Sequence, residues 1–398
     1  MREMSAPLKI VMIAPTPFFA DRGCHTRIYG EIRGLQEMGH RVVLVTYGLG
    51  RDMPGVETVR CFNFPWYRKL TAGPSVWKIL LLPFIAHTAR KTVGKIRPDI
   101  VHAHLHEGAV AARWCRLFHR KPVFFFDCQG SLSGELAGHH AVRENSLVYR
   151  LVRWIERKID NFFPVITQSA QMKELLLSFG VPEDRILNAM DAVDTDLFQP
   201  AEPDTELAER AGIDLSRPRV LYMGLLNEYQ GTDLMIRAFA RTAGLVPDVQ
   251  FIIIGYPNGE KYRQEAEKAG ISDRTVFIGK IPYEEAPAYL ALSRVAVAPK
   301  ISASEGDGKL YNYMSMGMGI ACFERSVSRE ILGDTGLYAP MKDTEKLGEQ
   351  LAWLLQNPSE TDAIGRKARA RAERLSIHVN ARMIDAFYRE QINARKAD

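Results

Sequence analysis

The sequence has few of the features that mark secreted, membrane-spanning or nucleic-acid-binding proteins. Its 398 residues include only 5 cysteines, an odd number without a C-x-x-C pair, which excludes a disulfide framework and a zinc-finger ligand set. The longest apolar run, residues 79–86, is far shorter than the roughly 18–20 residues that span a bilayer. Lys and Arg exceed Asp and Glu by only 52 to 47, so no nucleic-acid partner is expected. We therefore expect a reduced, cytoplasmic protein.

The sequence contains a regular alternation of short apolar runs and longer amphipathic stretches. The first series of runs comprises residues 10–14, 42–46, 100–102, 123–127 and 165–167. The second comprises residues 220–223, 250–254, 275–278, 295–298 and 319–323. Apolar runs bounded by helical patterns are typical of parallel strands that are buried on both faces. The pattern predicts an α/β fold of two Rossmann-like, doubly wound domains that face a central cleft.

The domain boundaries follow from a local change in composition. Residues 199–218 hold three prolines and many charges but few apolar residues, as an interdomain linker does. We therefore predict an N-terminal domain over residues 1–198 and a C-terminal domain over residues 219–376. A final helix, residues 377–398, is expected to return to the N-terminal domain. Ligands of such sheets bind beyond the carboxyl ends of the strands, so the loops there are the candidate sites.

Two of these loops suit an anion. The loop from Lys300 to Lys309 combines two cations with glycines at the start of a helix, and Gly308 lets backbone amides approach a phosphate. Glu305 in the same loop can accept hydrogen bonds from sugar hydroxyls, although a solvated surface loop is the alternative. Gly23 opens a helix after the first strand. The loop before it lacks a G-x-G-x-x-G pattern, so a simple turn residue is equally consistent.

Polar residues also end two strands of the first domain. His102, His104 and His106 alternate at the end of one predicted strand, and Asp127 ends another. A single segment with no distant partner is weak support for a metal site, so histidines that contact a ligand or serve the structure are favoured and no metal is predicted. His104 and Asp127 are candidate catalytic residues. Capping of the following loop is the alternative for Asp127.

Residues 60–98 contain eight Lys or Arg residues and no Asp or Glu. The basic residues are interleaved with Trp66, Tyr67, Trp77 and an aliphatic run. Basic residues with aromatic and aliphatic neighbours suit the interface of an anionic membrane. The alternative is a helix that packs on the core and exposes a solvated basic face.

Several segments, in this order along the chain, resemble the GT-B glycosyltransferases. The resemblance is to the large retaining family (family 4-like, group 1) that includes bacterial lipopolysaccharide, capsule and phosphatidylinositol sugar transferases. The segments are residues 10–23 with 39–42 (GHRV), 98–104 (PDIVHAH), 165–169 (VITQS), 191–200 (DAVDTDLFQP), 224–231 (GLLNEYQG) and 305–317 (EGDGKLYNYMSMG). The last three are similar to the family's N-G-V-D, G-R-L-x-x-x-K-G and E-x-x-G…E-A-M-A-x-G motifs.

The resemblance implies a donor, an acceptor and a type of reaction. The donor is a nucleotide sugar, a UDP- or GDP-sugar, bound mainly by the second domain, and the acceptor is a glycan or lipid-linked molecule bound by the first. It implies transfer with retention of the anomeric configuration, with no required metal or cofactor, and with the donor phosphate itself receiving the acceptor proton. By the same resemblance Glu305 contacts hydroxyls of the donor sugar, and Gly23 approaches the diphosphate.

The chain departs from the family pattern at specific positions. Leu225 and Gln230 stand where the family usually carries a phosphate-binding Arg and Lys, and Asn312 aligns with its ribose-binding Glu. Asp127 occupies the position of the family's first-domain histidine. We expect Lys309, on a neighbouring loop, to restore the missing positive charge, with Lys300 or Lys280 as alternatives. The implied donor-binding residues are Gly23, Gly224, Gln230, Gly308, Lys309 and Asn312.

The sequence thus predicts a retaining glycosyltransferase of cell-surface polysaccharide or glycolipid synthesis. Its expected location is the cytoplasm, with possible peripheral contact to the inner face of the membrane through residues 60–98. One alternative is a non-catalytic partner protein that binds a nucleotide sugar. The other is a GT-B-fold sugar-nucleotide epimerase, which would isomerise its nucleotide sugar without any acceptor.

Overall fold

The chain folds into two compact units. The computed structural model describes residues 6–21, 23–68, 70, 76–138, 142–143, 146–302 and 306–397. One unit comprises Met1–Asp191 and Ile377–Asp398, and the other comprises Ala192–Ser376. The division therefore precedes the boundary expected at residue 198, because Phe198 already belongs to the second unit, where its carbonyl oxygen accepts a 2.6 Å hydrogen bond from Ser315. The stretch expected to be a linker contains a helix, Thr205–Ala211.

The first unit is built on one parallel sheet. Its strands are β1 (Lys9–Ala14), β2 (Arg41–Thr46), β3 (Glu57–Arg60), β4 (Ile100–His104), β5 (Val123–Cys128), β6 (Val165–Thr167) and β7 (Ile186–Asn188). Its helices are α1 (Gly23–Glu37), α2 (Val76–Ile96), α3 (Leu105–Phe118), α4 (Leu132–Gly138), α5 (Leu147–Asp160), α6 (Ala170–Ser178) and a C-terminal helix (Ile377–Ala397), with a 3₁₀ turn at Glu183–Arg185. The strand order is β3-β2-β1-β4-β5-β6-β7.

Both faces of this sheet are covered by helices. Val11 and Val101, on one face, belong to a core that includes residues of α2, α3 and α5. On the other face, His102 of β4 contacts Tyr388 of the C-terminal helix. That helix also packs closely on α1, since a Cβ atom at Gly34 would lie 2.8 Å from the Cβ of Ala381. The C-terminal helix thus packs on the first unit, as expected.

The second unit repeats the architecture with a shorter sheet. Its strands are β8 (Arg219–Met223), β9 (Gln250–Ile254), β10 (Thr275–Gly279), β11 (Val295–Ala298), β12 (Gly319–Phe323) and β13 (Gly336–Ala339). Its helices are α7 (Thr205–Ala211), α8 (Thr232–Leu245), α9 (Gly259–Lys268), α10 (Ala286–Leu290), α11 (Gly308–Ser315), α12 (Ser326–Leu332), α13 (Thr344–Gln356) and α14 (Pro358–Arg374), with 3₁₀ turns at Glu228–Gln230, Ser272–Arg274 and Tyr283–Glu285. The six strands, all parallel, have the order β10-β9-β8-β11-β12-β13.

Each sheet has one point at which the strand order reverses. In the first unit this point lies between β1 and β4, and in the second it lies between β8 and β11. The loops that leave the carboxyl ends of these strand pairs diverge and leave room for a ligand. The α/β, doubly wound fold predicted from the sequence is confirmed. No helix in the described ranges combines the length and apolarity that crossing a bilayer requires.

Candidate functional site

The loops after β8 and β11 meet at the reversal point of the second sheet. The side chain of Lys309, at the start of α11, extends across Gly224, the first residue after β8. A Cβ atom at Gly224 would lie 3.0 Å from Cε of Lys309 and 2.9 Å from Oη of Tyr222. Glycine at position 224 is therefore required for the lysine to reach the β8 loop.

Lys309 contacts the position at which the sequence lacks a lysine. Its Nζ donates a 2.9 Å hydrogen bond to Oε1 of Gln230 and a 2.6 Å bond to Oδ1 of Asp307. All three side chains are almost completely buried. The ammonium group thus lies beside the end of the Gln230 side chain, where a lysine at position 230 would place its own charge.

Two further cations surround Asp307. Nη2 of Arg325 lies 3.3 Å from Oδ2 of Asp307, and Nζ of Lys300 donates a 2.7 Å hydrogen bond to the carbonyl oxygen of Gly306. Burial alone would raise the pKa of Asp307, but Lys309, Lys300 and Arg325 outweigh it and hold that pKa below its usual value. Three cations face one ionised carboxylate in this cationic cluster (Lys300, Lys309, Arg325 and Asp307).

The β8 loop is fixed by its own hydrogen bonds. Oδ1 of Asn227 accepts a 2.8 Å bond from the amide of Gln230, and Oγ1 of Thr232 accepts a 3.1 Å bond from the amide of Asn227. Gly231 adopts the left-handed conformation, with φ +71°, and a Cβ atom there would collide with the carbonyl oxygen of Pro299. This loop is therefore rigid and pressed against the end of β11, which holds Gln230 next to Lys309.

The other predicted donor-binding residues have different positions. Gly308 is the first residue of α11, and apart from its own helix and chain neighbours no atom of the described residues lies within 4 Å of the place where its Cβ would be. Asn312 is half-buried one turn further along α11. Glu305 lies outside the described residues. Gly23 is the first residue of α1, in the first unit, and the part of the chain that the structure describes also leaves space beside its Cα.

In the first unit, His104 and Asp127 are neighbours in the register of β4 and β5. Nδ1 of His104 lies 2.9 Å from Oδ2 of Asp127, and Nη2 of Arg27, on α1, donates a 2.7 Å hydrogen bond to Oδ1. Nε2 of Gln129 donates a further bond of 2.7 Å to the carboxylate. Asp127 is fully buried; burial opposes its ionisation, but Arg27 and His104 lower its pKa far below the usual range. A carboxylate held in this way orients its neighbours and is a weak proton acceptor.

Sequence reasoning missed the residue that organises this group. Arg27 contacts Asp127, and it also forms ion pairs with Glu31 at 3.1 Å and with Asp191 at 3.0 Å. Arg27 and Glu31 lie four residues apart on α1, a spacing that is also common on solvated helix faces. Their sequence context shows only that both residues are compatible with a helix that covers the sheet. That compatibility does not distinguish a buried ion pair from an exposed one. Asp307 and Arg325, which directly precede α11 and α12, were not singled out either.

Comparisons with known proteins identify the family. A model of the family described as "Glycosyl transferases group 1" matches residues 203–371, and one described as "Glycosyl transferase 4-like domain" matches residues 22–188. Together with the two doubly wound sheets, these matches define a protein of the GT-B glycosyltransferase class. The chain belongs to the group 1, family 4-like glycosyltransferases.

Its curated relatives are moderately similar in sequence. A GDP-mannose-dependent alpha-(1-6)-phosphatidylinositol monomannoside mannosyltransferase from Mycolicibacterium smegmatis is 29% identical, over 52% of this chain and 57% of the relative. A D-inositol 3-phosphate glycosyltransferase from Corynebacterium glutamicum is 25% identical, over 58% of each. The chain thus spans less than two thirds of the length of these relatives.

Solved structures match the fold over nearly the whole chain. Sucrose-phosphate synthase from Thermosynechococcus elongatus has a TM-score of 0.79 at 18% identity, covering 97% of this chain and 100% of that one. Anabaena HepE in complex with UDP-glucose has a TM-score of 0.76 at 14% identity, with the same coverage. At these identities the likeness concerns the fold.

Proposed function

We propose that this protein transfers a sugar from a nucleotide-diphosphate sugar to a glycan or lipid-linked acceptor, with retention of configuration. The observation that carries the proposal is the cationic cluster at the reversal point of the second sheet. Its cations suit the negatively charged diphosphate of a nucleotide-sugar donor. The N-terminus of α11, where the described residues leave space beside Gly308, adds backbone amides to the same place. The complex of the structural neighbour with UDP-glucose supports a donor of this chemistry.

The proposed chemistry depends on charge at the leaving group. As the bond between the sugar and the diphosphate breaks, negative charge develops on the phosphate oxygens, and buried cations held in place beforehand stabilise it. Lys309 is held by Asp307 and Gln230, and Arg325 is held by Asp307, so neither needs to reorganise during the reaction. We assign the binding of donor-sugar hydroxyls to Glu305 and that of the ribose to Asn312. The acceptor proton passes to the departing phosphate oxygen.

The acceptor is proposed to be presented at a membrane surface. Helices α2, α3 and α5 cover one face of the first sheet, and each exposes large apolar side chains on its outer side. We define the basic apolar face by six of its exposed side chains, which are Trp66, Ile79, Trp114, Leu147, Leu151 and Trp154. Ile79 is 71% exposed and Leu147 is 81% exposed, fractions that would decrease on contact with acyl chains.

The charges on this face are predominantly positive. Helix α5 carries four cations, Arg150, Arg153, Arg157 and Lys158. Its two acidic residues, Glu156 and Asp160, are buried and point away from solvent. The basic character noted for residues 60–98 thus extends to a second helix that the sequence analysis did not single out. An anionic lipid surface fits this combination of apolar and basic side chains. Lys69, one of the basic residues of the 60–98 segment, lies outside the described residues.

The activity can be tested with a panel of UDP-, GDP- and ADP-sugars. We expect slow hydrolysis of one donor, accelerated by a lipid acceptor such as phosphatidylinositol or its monomannoside, the lipid that one relative's name specifies. Glu305→Ala should lower turnover at least about 100-fold, as loss of a transition-state contact does, with little change in melting temperature. Turnover without any acceptor to an isomerised nucleotide sugar would instead indicate an epimerase. If no donor were bound or consumed, the non-catalytic partner would be the better interpretation.

The membrane contact can be tested with cosedimentation on vesicles. The double variant Ile79→Glu/Leu151→Glu should bind phosphatidylglycerol-containing vesicles at least about tenfold more weakly than wild type, because burying each apolar side chain contributes roughly 1.5–3 kcal/mol. The matched control is Leu245→Glu/Trp353→Glu, which changes two exposed apolar residues of the second unit. Equal binding of both double variants, or equal binding of wild type to pure phosphatidylcholine vesicles, would count against an anionic membrane surface.

A further inference from the structure

A set of nitrogen and oxygen atoms converges inside the first unit. His102 and His104 are two residues apart on β4, so their side chains lie on the same face of the sheet, and Glu31 on α1 packs over them. One possible ligand atom from each of Glu31, His102, His104 and Asp127 lies within 4.8 Å of the others. All four side chains are buried. The sequence showed only the alternating histidines of one strand. In the structure Glu31, from the distant helix α1, joins them.

Several of these atoms have no hydrogen-bond partner. Nε2 of His102, Nε2 of His104 and both carboxylate oxygens of Glu31 are buried without a hydrogen bond among the described residues, although Oε1 of Glu31 lies 3.1 Å from Nε of Arg27 in an ion pair. Buried polar atoms are nearly always paired, because an unpaired one is destabilising. Nε2 of His102 and Oε2 of Glu31 are 3.9 Å apart, too far for a hydrogen bond. Around a tetrahedral Zn²⁺ with bonds of about 2.0–2.1 Å, two such ligand atoms lie roughly 3.4 Å apart.

The other nitrogen of each imidazole is already engaged. Nδ1 of His104 lies 2.9 Å from the Asp127 carboxylate, and Nδ1 of His102 lies 2.6 Å from the hydroxyl of Tyr388. Histidines that bind metals are held in this manner, with one nitrogen on the ion and the other donating to a carboxylate or another oxygen. These contacts leave the Nε2 atoms as the ligand atoms and fix which tautomer is required.

The local charge favours a divalent cation. Arg27 is paired with three carboxylates, those of Glu31, Asp127 and Asp191. Glu31 and Asp127 bring two buried carboxylates to this one arginine, and a cation bound beside them would offset the excess negative charge.

We propose that Glu31, His102 and His104 bind one divalent transition-metal ion, with Zn²⁺ as the ion that suits two imidazoles and a carboxylate. The ion would join α1 to β4 and hold His104 so that its Nδ1–H donates to Asp127. In this role His104 is a positioning residue and the metal is structural. The proposal does not depend on the proposed function, because the cationic cluster belongs to the second unit.

The test is the metal content of the purified protein. Protein expressed with added Zn²⁺ should retain about one equivalent of zinc after dialysis, and protein loaded with Co²⁺ should show the visible absorption of a tetrahedral site. Glu31→Gln and His102→Gln should each lose the metal and the cobalt spectrum. The matched control is His40→Gln, which removes a buried histidine whose Nδ1 accepts from the amide of Leu8 and whose Nε2 lies 3.1 Å from Asp385.

Two results would overturn the proposal. The first is a zinc content of less than about 0.1 equivalent in the wild-type protein, together with a melting temperature that does not rise when Zn²⁺ is added to the dialysed protein. The second is zinc that persists in folded Glu31→Gln and His102→Gln, since the ion would then lie elsewhere, for example at His106, Cys128 and Asp160. If both variants failed to fold, the zinc and cobalt measurements on wild type would still decide.

Discussion

Replacing Lys309 with glutamine should weaken the binding of UDP, or of GDP if that is the donor base, about 10- to 150-fold. The reason is the loss of a charge-assisted hydrogen bond worth roughly 1.5–3 kcal/mol at a buried position. The second substitution, Gln230→Lys, should restore most of the affinity in the Lys309→Gln background. It returns an ammonium group to the other side of the 2.9 Å contact between the two side chains.

The measurement is calorimetric titration of each nucleotide into wild type, both single variants and the double variant. The control is Lys261→Gln, which removes an exposed lysine paired at 2.7 Å with Glu228 on the same β8 loop. That exposed pair should matter little, since such pairs contribute about 0–1 kcal/mol. Unchanged affinity in Lys309→Gln would contradict the compensation argument. A double variant no better than the single one would show that the cation must come from position 309.

The sequence predicted every strand inside the two sheets and one edge strand, β10, as residues 275–278. Residues 165–167, 250–254, 295–298 and 319–323 were predicted with the bounds that the structure gives, because buried strands are short, continuous apolar runs. The three missed strands, β3, β7 and β13, are all at sheet edges. Glu57–Arg60 contains two charged residues and is at most half-buried, so its composition does not differ from that of a loop. An edge strand needs no continuous apolar run, so apolar periodicity detects it only where such a run is present, as in β10.

The candidate sites were predictable to different degrees. The carboxyl ends of β4, β5 and β11 were identified because a parallel sheet places ligands there, and this led to His104, Asp127 and Lys309. The partners of these residues come from distant positions: Arg27 lies 100 residues from Asp127, and Gln230 lies 79 residues from Lys309. Contacts at such separations depend on the packing of α1 against the sheet and on the reversal of strand order. Local composition indicates neither the packing of α1 nor the reversal of strand order.

Arg27→Met should destabilise the first unit more than any surface substitution, by about 3–5 kcal/mol, because it leaves the buried Asp127 carboxylate without its main cation. For a unit of this size that corresponds to a fall in melting temperature of roughly 6–20 °C. The control is Arg33→Met on the same helix. Its ion pair with Glu37, at 3.3 Å, is exposed and should contribute no more than about 1 kcal/mol.

The pH dependence separates an uncompensated charge from a simple loss of packing. In wild type the pKa of Asp127 is lowered, so its contribution to stability is present at neutral pH and is lost only as the pH falls through the acid range. Without Arg27, burial should raise that pKa, so protonation should stabilise the variant as the pH decreases. The difference in unfolding free energy between wild type and Arg27→Met should therefore shrink from pH 7 to about pH 5, and Asp127→Asn should remove most of it at neutral pH. A difference in unfolding free energy that is constant with pH would mean that Arg27 acts through packing. A destabilisation no larger than that of Arg33→Met would mean that the buried ion pair does not hold α1 against β5.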